Sequence, residues 1–265
     1  MVDHTTVIDA DAIGVHAGWG HIYGPETFRV REGGVTVLSG RAGRGRTALL
    51  LTLAGRMKPT SGTLTAFGRT GQARHLFASA AIAYIDEVDR VAQTIRVSDV
   101  VSEEIRWKSR WYRWVRRSGR DDLEHICGPV FGEHPLPRMD AFVEELPELT
   151  ATLLRIAVAN VGRPPLLVVG GVDRLTSIGD SAAVLDRLVV LGHTQTVITA
   201  DINAATTGQS ALRDVIALDH LTDTRVIDTG APDHQPPHHE RPDDEPPDHE
   251  PPHHEPTGDR NGEPS

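Results

Sequence analysis

An α/β fold with a mostly parallel sheet is predicted by two features of the sequence. Short apolar, β-branched runs typical of buried strands recur along the chain, and segments with helical periodicity separate them. A glycine-rich loop also joins the first of these strands directly to a helical segment. Neighbouring parallel strands need long crossover connections, which helices usually provide. We therefore expect one mostly parallel sheet with helices on both faces.

The strands and helices of this sheet can be assigned in chain order. The run GVTVLSG predicts the first strand and RTALLLTLAGRM the helix after it, followed by a turn and a short strand in KPTSGTLTAFG. Continuous apolar runs indicate strands that are buried on both faces, and AAVLDRLVVLG predicts a helix between the last two of them. The segment LRDVIALDHLTDTRVID predicts a final strand pair or ribbon. The sheet strands are expected at residues 34–40, 81–87, 164–171 and 195–201.

The acidic charge of the chain is concentrated in its C-terminal segment, residues 230–265. This segment holds ten acidic residues and two arginines, out of a net charge of −10 for the whole chain, and no large apolar side chain. Such a composition cannot form a core and predicts a disordered tail. Its histidine pairs could bind Zn²⁺ or Ni²⁺, or the tail could serve only to keep the chain in solution.

The sequence gives no signal for export or for insertion into a membrane. Residues 1–12 contain acids and no apolar stretch, and the apolar runs elsewhere are shorter than the ~20 residues of a membrane span. The single cysteine, Cys127, excludes an internal disulfide and suits a reducing compartment. We expect a cytoplasmic protein that reaches the inner face of a membrane only through a partner.

The glycine-rich loop between Gly40 and Thr47 fits the phosphate-binding pattern G-x-x-x-x-G-K-[ST], except that Arg46 stands in place of lysine. Its glycines let backbone N–H groups face an anion, and the helix that follows adds its positive end. The hydroxyl of Thr47 could reach Mg²⁺. Arg46 is either drift in a chain rich in arginine or a change that alters the fit to phosphate, because guanidinium is longer and planar. The predicted phosphate-binding residues are Gly40, Arg41, Ala42, Gly43, Arg44, Gly45, Arg46, Thr47 and Ala48.

Together with AGWGHIYG before the loop and LAGRMKPTSG after it, this pattern resembles the ATPase domain of ABC transporters over about residues 5–220. The resemblance implies a P-loop NTPase core at residues 1–229, with an inserted helical subdomain at about 88–162. It implies ATP as ligand, with Trp19 stacking on adenine, and Mg²⁺ as a weaker expectation. The implied partners are a transmembrane transporter subunit, an intact ATPase subunit, or both, within a dimer.

The other motifs of that family are altered in this chain. Glu87 stands where the resemblance places a glutamine, and Pro147, Glu148, Leu149 and Thr150 replace its glycine-containing signature. Gly170 and Gly171 replace the Asp-Glu pair that would hold Mg²⁺ and position water, and Ala200 replaces a histidine. Asp173 could substitute for the missing carboxylates, or it could be a helix cap or turn residue. No catalytic position is therefore intact, and whether the chain is an enzyme stays open at this point.

Loss of a positioned base alone typically costs ~10²–10⁴ in rate. The sequence therefore predicts a nucleotide-binding subunit of an ABC-type transport system that is impaired in hydrolysis. Two alternatives remain: a regulatory or scaffold pseudo-ATPase without a transport role, and an active ATPase that uses unusual residues.

Three tryptophans share one face of a predicted basic helix, at Trp107, Trp111 and Trp114. This stripe could pack inside the helical subdomain, or it could dock on membrane subunits as that subdomain does in the family. Basic residues between aromatic ones could also bind nucleic acid, but the resemblance gives no reason to expect a nucleic acid partner.

Overall fold

The computed structural model describes residues 5–18, 20–86, 94–108, 118–202 and 211–221. Two sheets and six α-helices are present in these ranges. In chain order the elements are β1 (Thr6–Ala17), β2 (Gly20–Arg31), β3 (Gly34–Ser39), α1 (Arg44–Leu53), β4 (Ser61–Ala66), β5 (Arg69–Thr70), α2 (Ala73–Ser79), β6 (Ala80–Ala83), α3 (Val97–Lys108), α4 (Arg120–Phe131), α5 (Glu148–Asn160), β7 (Leu166–Val169), α6 (Ile178–Gly192), β8 (Thr196–Asp201) and β9 (Asp214–Ala217), with short 3₁₀ turns at Val143–Glu145 and Val172–Arg174.

The larger sheet confirms the predicted α/β fold. Its strands follow the order β6-β7-β8-β3-β9, and every neighbouring pair is parallel. Ser39 at the end of β3 lies in register with Asp201 at the end of β8 and with Ala217 of β9. The carboxyl ends of the strands therefore meet at one edge of the sheet, where ligands of open parallel sheets usually bind.

Both faces of this sheet are buried, as the continuous apolar runs predicted. Successive residues of the central strands enter two different cores: Leu167 of β7 packs into the core formed with α4, α5 and α6, and Val168 into the core beside α1. The same alternation separates Val37 from Leu38 in β3. This period of two is the geometry of a strand covered on both sides.

A second, antiparallel sheet covers α1 on the side away from the parallel sheet, and the sequence analysis did not anticipate it. Its strand order is β2-β1-β4-β5, with a long hairpin between β1 and β2. A buried hydrogen bond of 2.9 Å from the Tyr23 hydroxyl to the Thr52 hydroxyl joins β2 to α1. Burial raises the pKa of Tyr23 to about 12, so this hydroxyl stays a donor at neutral pH.

Three of the strand predictions are wrong in part. The strand expected at residues 81–87 ends at Ala83, because Tyr84 adopts a φ of 58° and turns the chain away from the sheet. The C-terminal segment forms no strand pair in its described part; instead, β9 joins the parallel sheet beside β3. Likewise, strand β7 ends at Val169, so that Gly170 and Gly171 follow the strand.

Helices α3, α4 and α5 occupy the region where an inserted helical subdomain was expected, and they share the larger core with α6. The domain boundaries themselves stay a prediction. The side chain of Trp107, residues Trp111 and Trp114, and the tail at 230–265 lie outside the described residues. No helix in the described ranges is long and apolar enough to span a membrane.

Candidate functional site

The glycine-rich loop lies at the carboxyl edge of the parallel sheet, between the end of β3 and the start of α1. Gly40 packs closely against the segment after β9: a Cβ atom there would lie 2.8 Å from the Leu221 Cδ1 atom and 3.1 Å from the Leu218 Cβ atom. Helix α1 begins at Arg44, carries no acidic residue in its first turn and has no side-chain cap. Its first N–H groups have no partners within the helix and point toward the loop. This is the arrangement that binds anions in phosphate loops.

Arg46 forms a bidentate ion pair with Asp173. Its Nη1 atom lies 2.8 Å from Asp173 Oδ2 and its Nη2 atom 2.8 Å from Oδ1, and Nη1 also donates to the Gly40 carbonyl at 3.2 Å. Both side chains are almost fully buried, at 5% and 8% exposure. Asp173 is therefore the counterion of Arg46, and both of its carboxylate oxygens are engaged by the guanidinium. Of the sequence-based alternatives for Asp173, a turn residue agrees with its place in the 3₁₀ turn Val172–Arg174, but none of them included this ion pair.

Gly170 and Gly171, which stand where two carboxylates were expected, are enclosed by other parts of the site. The Gly170 N–H donates to the Ala83 carbonyl at 2.9 Å, and a Cβ atom at Gly170 would lie 1.9 Å from the Tyr84 carbonyl oxygen. A Cβ atom at Gly171 would lie 2.4 Å from Asp173 Oδ1 and 2.6 Å from Arg46 Nη2. A side chain at either position would require its neighbours to move.

The segment from Tyr84 to Asp86, just before the predicted position of Glu87, is held by two arginines. Arg155 of α5 pairs with Asp86 at 2.9 Å, and Arg174 makes a second, shorter contact with the same carboxylate. Burial raises the pKa of Asp86, but the hydrogen bonds from Arg174 and Arg155 outweigh it and hold that pKa below its usual value. The guanidiniums of Arg155 and Arg174 also lie 4.9 and 5.4 Å from the Tyr84 ring centre. Burial raises the pKa of the Tyr84 hydroxyl, and Arg174 partly opposes this.

A cavity of about 300 Å³ opens between the loop, the start of α1 and the two glycines. Arg44, Arg46 and Arg174 line it, together with Thr47. Among the described residues, none that lines this cavity is an aspartate, glutamate, histidine or cysteine. The cavity is therefore suited to an anion, and its guanidiniums and helix N-terminus fit the phosphate groups of a nucleotide.

The residues present do not fit the Mg²⁺ ion that the sequence resemblance implied. Mg²⁺ prefers oxygen ligands and is usually anchored by one or two carboxylates. Among the described lining residues, Thr47 is the one with a hydroxyl side chain, and Asp86 and Asp173 are engaged by arginines. In the described ranges no group of three or more histidine, cysteine, aspartate or glutamate residues could hold a metal.

The other predicted site residues are distributed around this centre. Ala200 is fully buried in β8, so the position expected for a histidine faces the core. Glu148 begins α5, where its carboxylate accepts a hydrogen bond of 3.0 Å from the Thr176 N–H. Ala48 is buried within α1. Trp19 and Glu87 lie outside the described residues.

Sequence reasoning missed the partners in this site. Asp86, Arg155 and Arg174 had no assigned role, and the pairing of Asp173 with Arg46 was not expected. Arg46 and Asp173 are 127 residues apart in the chain, so no local spacing could indicate their contact. The one signal available was their opposite charge beside two altered motifs.

Comparisons with known proteins agree with the fold. A family model described as ABC transporter matches residues 24–168, more than half of the chain. No curated protein sequence matches this chain.

Solved structures with the same architecture are distant in sequence. They include cbiO1 from Clostridium perfringens, part of the ABC transporter complex cbiONQ, with a TM-score of 0.61, 16% identity, and coverage of 81% of this chain and 85% of that one. A nucleotide-free ATP-binding cassette from an ABC transporter has a TM-score of 0.64 at 12% identity, covering 81% and 88%. A Pyrococcus furiosus protein described as an ABC transporter ATP-binding protein has a TM-score of 0.61 at 16% identity, covering 81% and 99%. At these identities the likeness shows the fold alone.

Proposed function

Since the chain belongs to the ABC transporter family, we propose that it is a nucleotide-binding subunit of an ABC-type transport system that binds ATP but hydrolyses little or none. One observation carries the second part of this proposal. The two positions expected to hold catalytic carboxylates are glycines, and the Tyr84 carbonyl and the Arg46–Asp173 pair occupy the space that side chains there would need.

Binding of the phosphate groups is supported by the loop and by the charges of the cavity. Arg44, Arg46 and Arg174 present guanidiniums, which form charge-assisted, often bidentate hydrogen bonds with phosphate oxygens. The N-terminus of α1 adds a favourable term of about 0.3–1 kcal/mol. A phosphate that contacts Arg46 exchanges one anionic partner for another, since Asp173 holds this guanidinium in the absence of ligand. We therefore expect binding that is weaker than an unpaired cation in this place would give.

Weak or absent hydrolysis follows from the groups that the site does not contain. No carboxylate lines the described cavity, and the position expected for histidine is the buried Ala200. Loss of a base typically costs ~10²–10⁴ in rate and loss of an electrostatic stabiliser ~10²–10³. Turnover in the transport system would then rest on a second, intact ATPase subunit, and membrane attachment on transmembrane subunits, with this chain at the cytoplasmic side.

A second candidate is a regulatory or scaffold cassette that binds no nucleotide. The observation that favours it is the Arg46–Asp173 pair, because the buried guanidinium is satisfied without any ligand. An active ATPase that uses Asp173 receives no support, since both oxygens of that carboxylate contact Arg46.

Calorimetric titration of the full chain with ATP, with phosphate release followed on the same sample, tests the proposal. We expect binding without release above background. Arg44→Ala should weaken binding about tenfold, because Arg44 is an exposed cavity arginine. Arg138→Ala is the matched control, because Arg138 is exposed and pairs with the neighbouring Asp140 outside the cavity.

Each other outcome selects an alternative. The absence of any binding heat, with the chain folded, would favour the scaffold candidate. Steady phosphate release that Arg44→Ala reduces would contradict impaired hydrolysis.

A further inference from the structure

We propose that this site binds its nucleotide without Mg²⁺, as a free polyphosphate held by arginines. The inference rests on the proposed function and specifies the form of the ligand. The fold family implies Mg²⁺, but the side chains that surround the cavity do not fit this ion.

The cavity supplies almost no metal ligands. Mg²⁺ takes oxygen ligands in octahedral geometry and is anchored in nucleotide sites by one or two carboxylates besides phosphate. Among the described residues that line the cavity, Thr47 has the only hydroxyl side chain and none has a carboxylate. Asp201, at the end of β8, is buried and outside the lining. A metal ion would thus keep water and phosphate as nearly all of its ligands.

Two carboxylates beside the described lining residues are held by arginines. Asp173 makes two 2.8 Å contacts with Arg46, and Asp86 is shared between Arg155 and Arg174. To reach a metal, either carboxylate would have to leave a charge-assisted pair, and for the nearly fully buried Asp173 this would also leave a buried guanidinium unpaired. Both carboxylates are therefore engaged by arginines and are not available to a metal ion.

Three guanidiniums at the cavity provide the positive charge that a metal would otherwise contribute. Arg44 and Arg46 both lie in the first turn of α1, and Arg174 shares the lining of the cavity with Gly170 and Gly171. A divalent cation placed among them would meet these guanidiniums at close range, and the carboxylates that offset two of them, Asp173 and Asp86, are already engaged by arginines. Mg²⁺ also neutralises two of the negative charges of ATP, which weakens the attraction between its phosphates and these guanidiniums.

It follows that Mg²⁺ should not tighten the binding of ATP to this site. A protein that contacts both the metal and the phosphates binds the Mg²⁺ complex of ATP more tightly than free ATP. A protein that contacts only the phosphates binds free ATP at least as tightly as the complex. We therefore expect the Kd for ATP in EDTA to be equal to the Kd in excess Mg²⁺, or lower than it.

The experiment is a calorimetric titration of the full chain with ATP, in EDTA and in excess Mg²⁺ at matched ionic strength, since screening alone changes such affinities. A titration of Mg²⁺ into the protein without ATP supplies the background, because the histidine-rich tail could bind metal by itself. A Kd in EDTA that is equal to or lower than that in Mg²⁺ supports the inference. A Kd that Mg²⁺ lowers by more than threefold overturns it, while the proposed function stands. No binding in either buffer overturns both.

Two variants test whether arginines replace the metal. Arg174→Gln and Arg44→Gln should each weaken binding in EDTA about tenfold, and weaken it less in Mg²⁺, where the ligand carries less charge. Arg138→Gln, outside the cavity, should change neither Kd. Equal effects of Arg44→Gln and Arg174→Gln in the two buffers, or no effect in EDTA, would contradict the assigned role of these side chains.

Discussion

Arg46 and Asp173 face one another in parallel, with two nitrogen–oxygen distances of 2.8 Å, and close a buried ion pair between the phosphate loop and the turn that follows β7. The next residue in that turn, Arg174, contacts Asp86. Two adjacent residues of one 3₁₀ turn therefore hold two other segments of the site, the phosphate loop through Arg46 and the segment after β6 through Asp86. The role of Arg46 and the role of Asp173 therefore have to be interpreted together.

The substitution Asp173→Asn should lower stability and raise nucleotide affinity at the same time. It leaves the buried Arg46 guanidinium without its counterion, and truncation of one member of a buried pair typically costs about 3–5 kcal/mol. Because the same guanidinium is then available to phosphate, ATP binding should tighten roughly tenfold, which corresponds to about 1.4 kcal/mol. Urea denaturation measures the first effect and calorimetry the second.

Asp140→Asn is the control for this change, because Asp140 pairs with Arg138 on the surface. This control should change neither the stability of the protein nor its affinity for ATP. Unchanged stability of Asp173→Asn would mean that the pair contributes nothing to the fold. Lower stability combined with weaker ATP binding would mean that Asp173 assists the ligand rather than competing with it.

Gly170→Ala should destabilise the protein although it adds only one methyl group. The new Cβ atom would lie 1.9 Å from the Tyr84 carbonyl oxygen and 2.9 Å from its carbonyl carbon, so the backbone of a neighbouring segment must shift. Overpacking of this kind typically costs about 1–3 kcal/mol. Gly128→Ala in α4 is the matched control: no atom lies within 4 Å of its added Cβ, and alanine in a helix gains roughly 0.5–1 kcal/mol over glycine. If urea denaturation gives equal stabilities for the two variants, the enclosure of Gly170 is wrong.

The same enclosure predicts that restoring the family's residues will not restore turnover. The triple variant Arg46→Lys, Gly170→Asp, Gly171→Glu introduces the family's residues at these three positions, but its side chains at 170 and 171 would meet the Tyr84 carbonyl and the Asp173 carboxylate. We expect phosphate release at the background rate, with the purified variant still folded by circular dichroism. Release well above that of the wild-type chain would show that these segments yield easily and that only the side chains were missing.

The sequence predicted the parts of the fold that carry their own local signal. The strands β3, β7 and β8 are continuous apolar runs because both of their faces are buried, and such runs can be recognised without any knowledge of their neighbours. The antiparallel sheet was missed because its long hairpin was not recognised in the alternating residues of β1 and β2. The strand ending at Ala83 was drawn too long, since nothing in the sequence marks Tyr84 as a residue of positive φ.

The candidate site was predictable as a set of altered motifs, but its internal contacts were not. That Gly170 and Gly171 stand in place of acids is a prediction from the order of the motifs along the chain. That a carbonyl of Tyr84 fills the space beside Gly170 depends on how β6 and β7 lie side by side. Contacts between residues far apart in sequence are set by the packed sheet, and one sequence without relatives contains no direct record of them.

Asp86→Asn should remove a part of the protein's stability that depends on pH. Hydrogen bonds from Arg174 and Arg155 outweigh burial and place the pKa of folded Asp86 below that of the unfolded chain, which is ~4. A depressed carboxyl pKa contributes stability above the unfolded value, and this contribution is lost as the pH falls through the folded value. The wild-type chain should therefore exceed Asp86→Asn in urea midpoint at pH 7 and pH 5, and the two should converge as the pH falls through the lowered pKa of folded Asp86. Arg155→Gln should move the acid limb of the wild-type curve to higher pH, because it removes one of the two groups that depress this pKa. If the urea midpoints of the wild-type chain and Asp86→Asn change in parallel from pH 7 to pH 3, the ion pairs of Asp86 with Arg155 and Arg174 do not stabilise the fold.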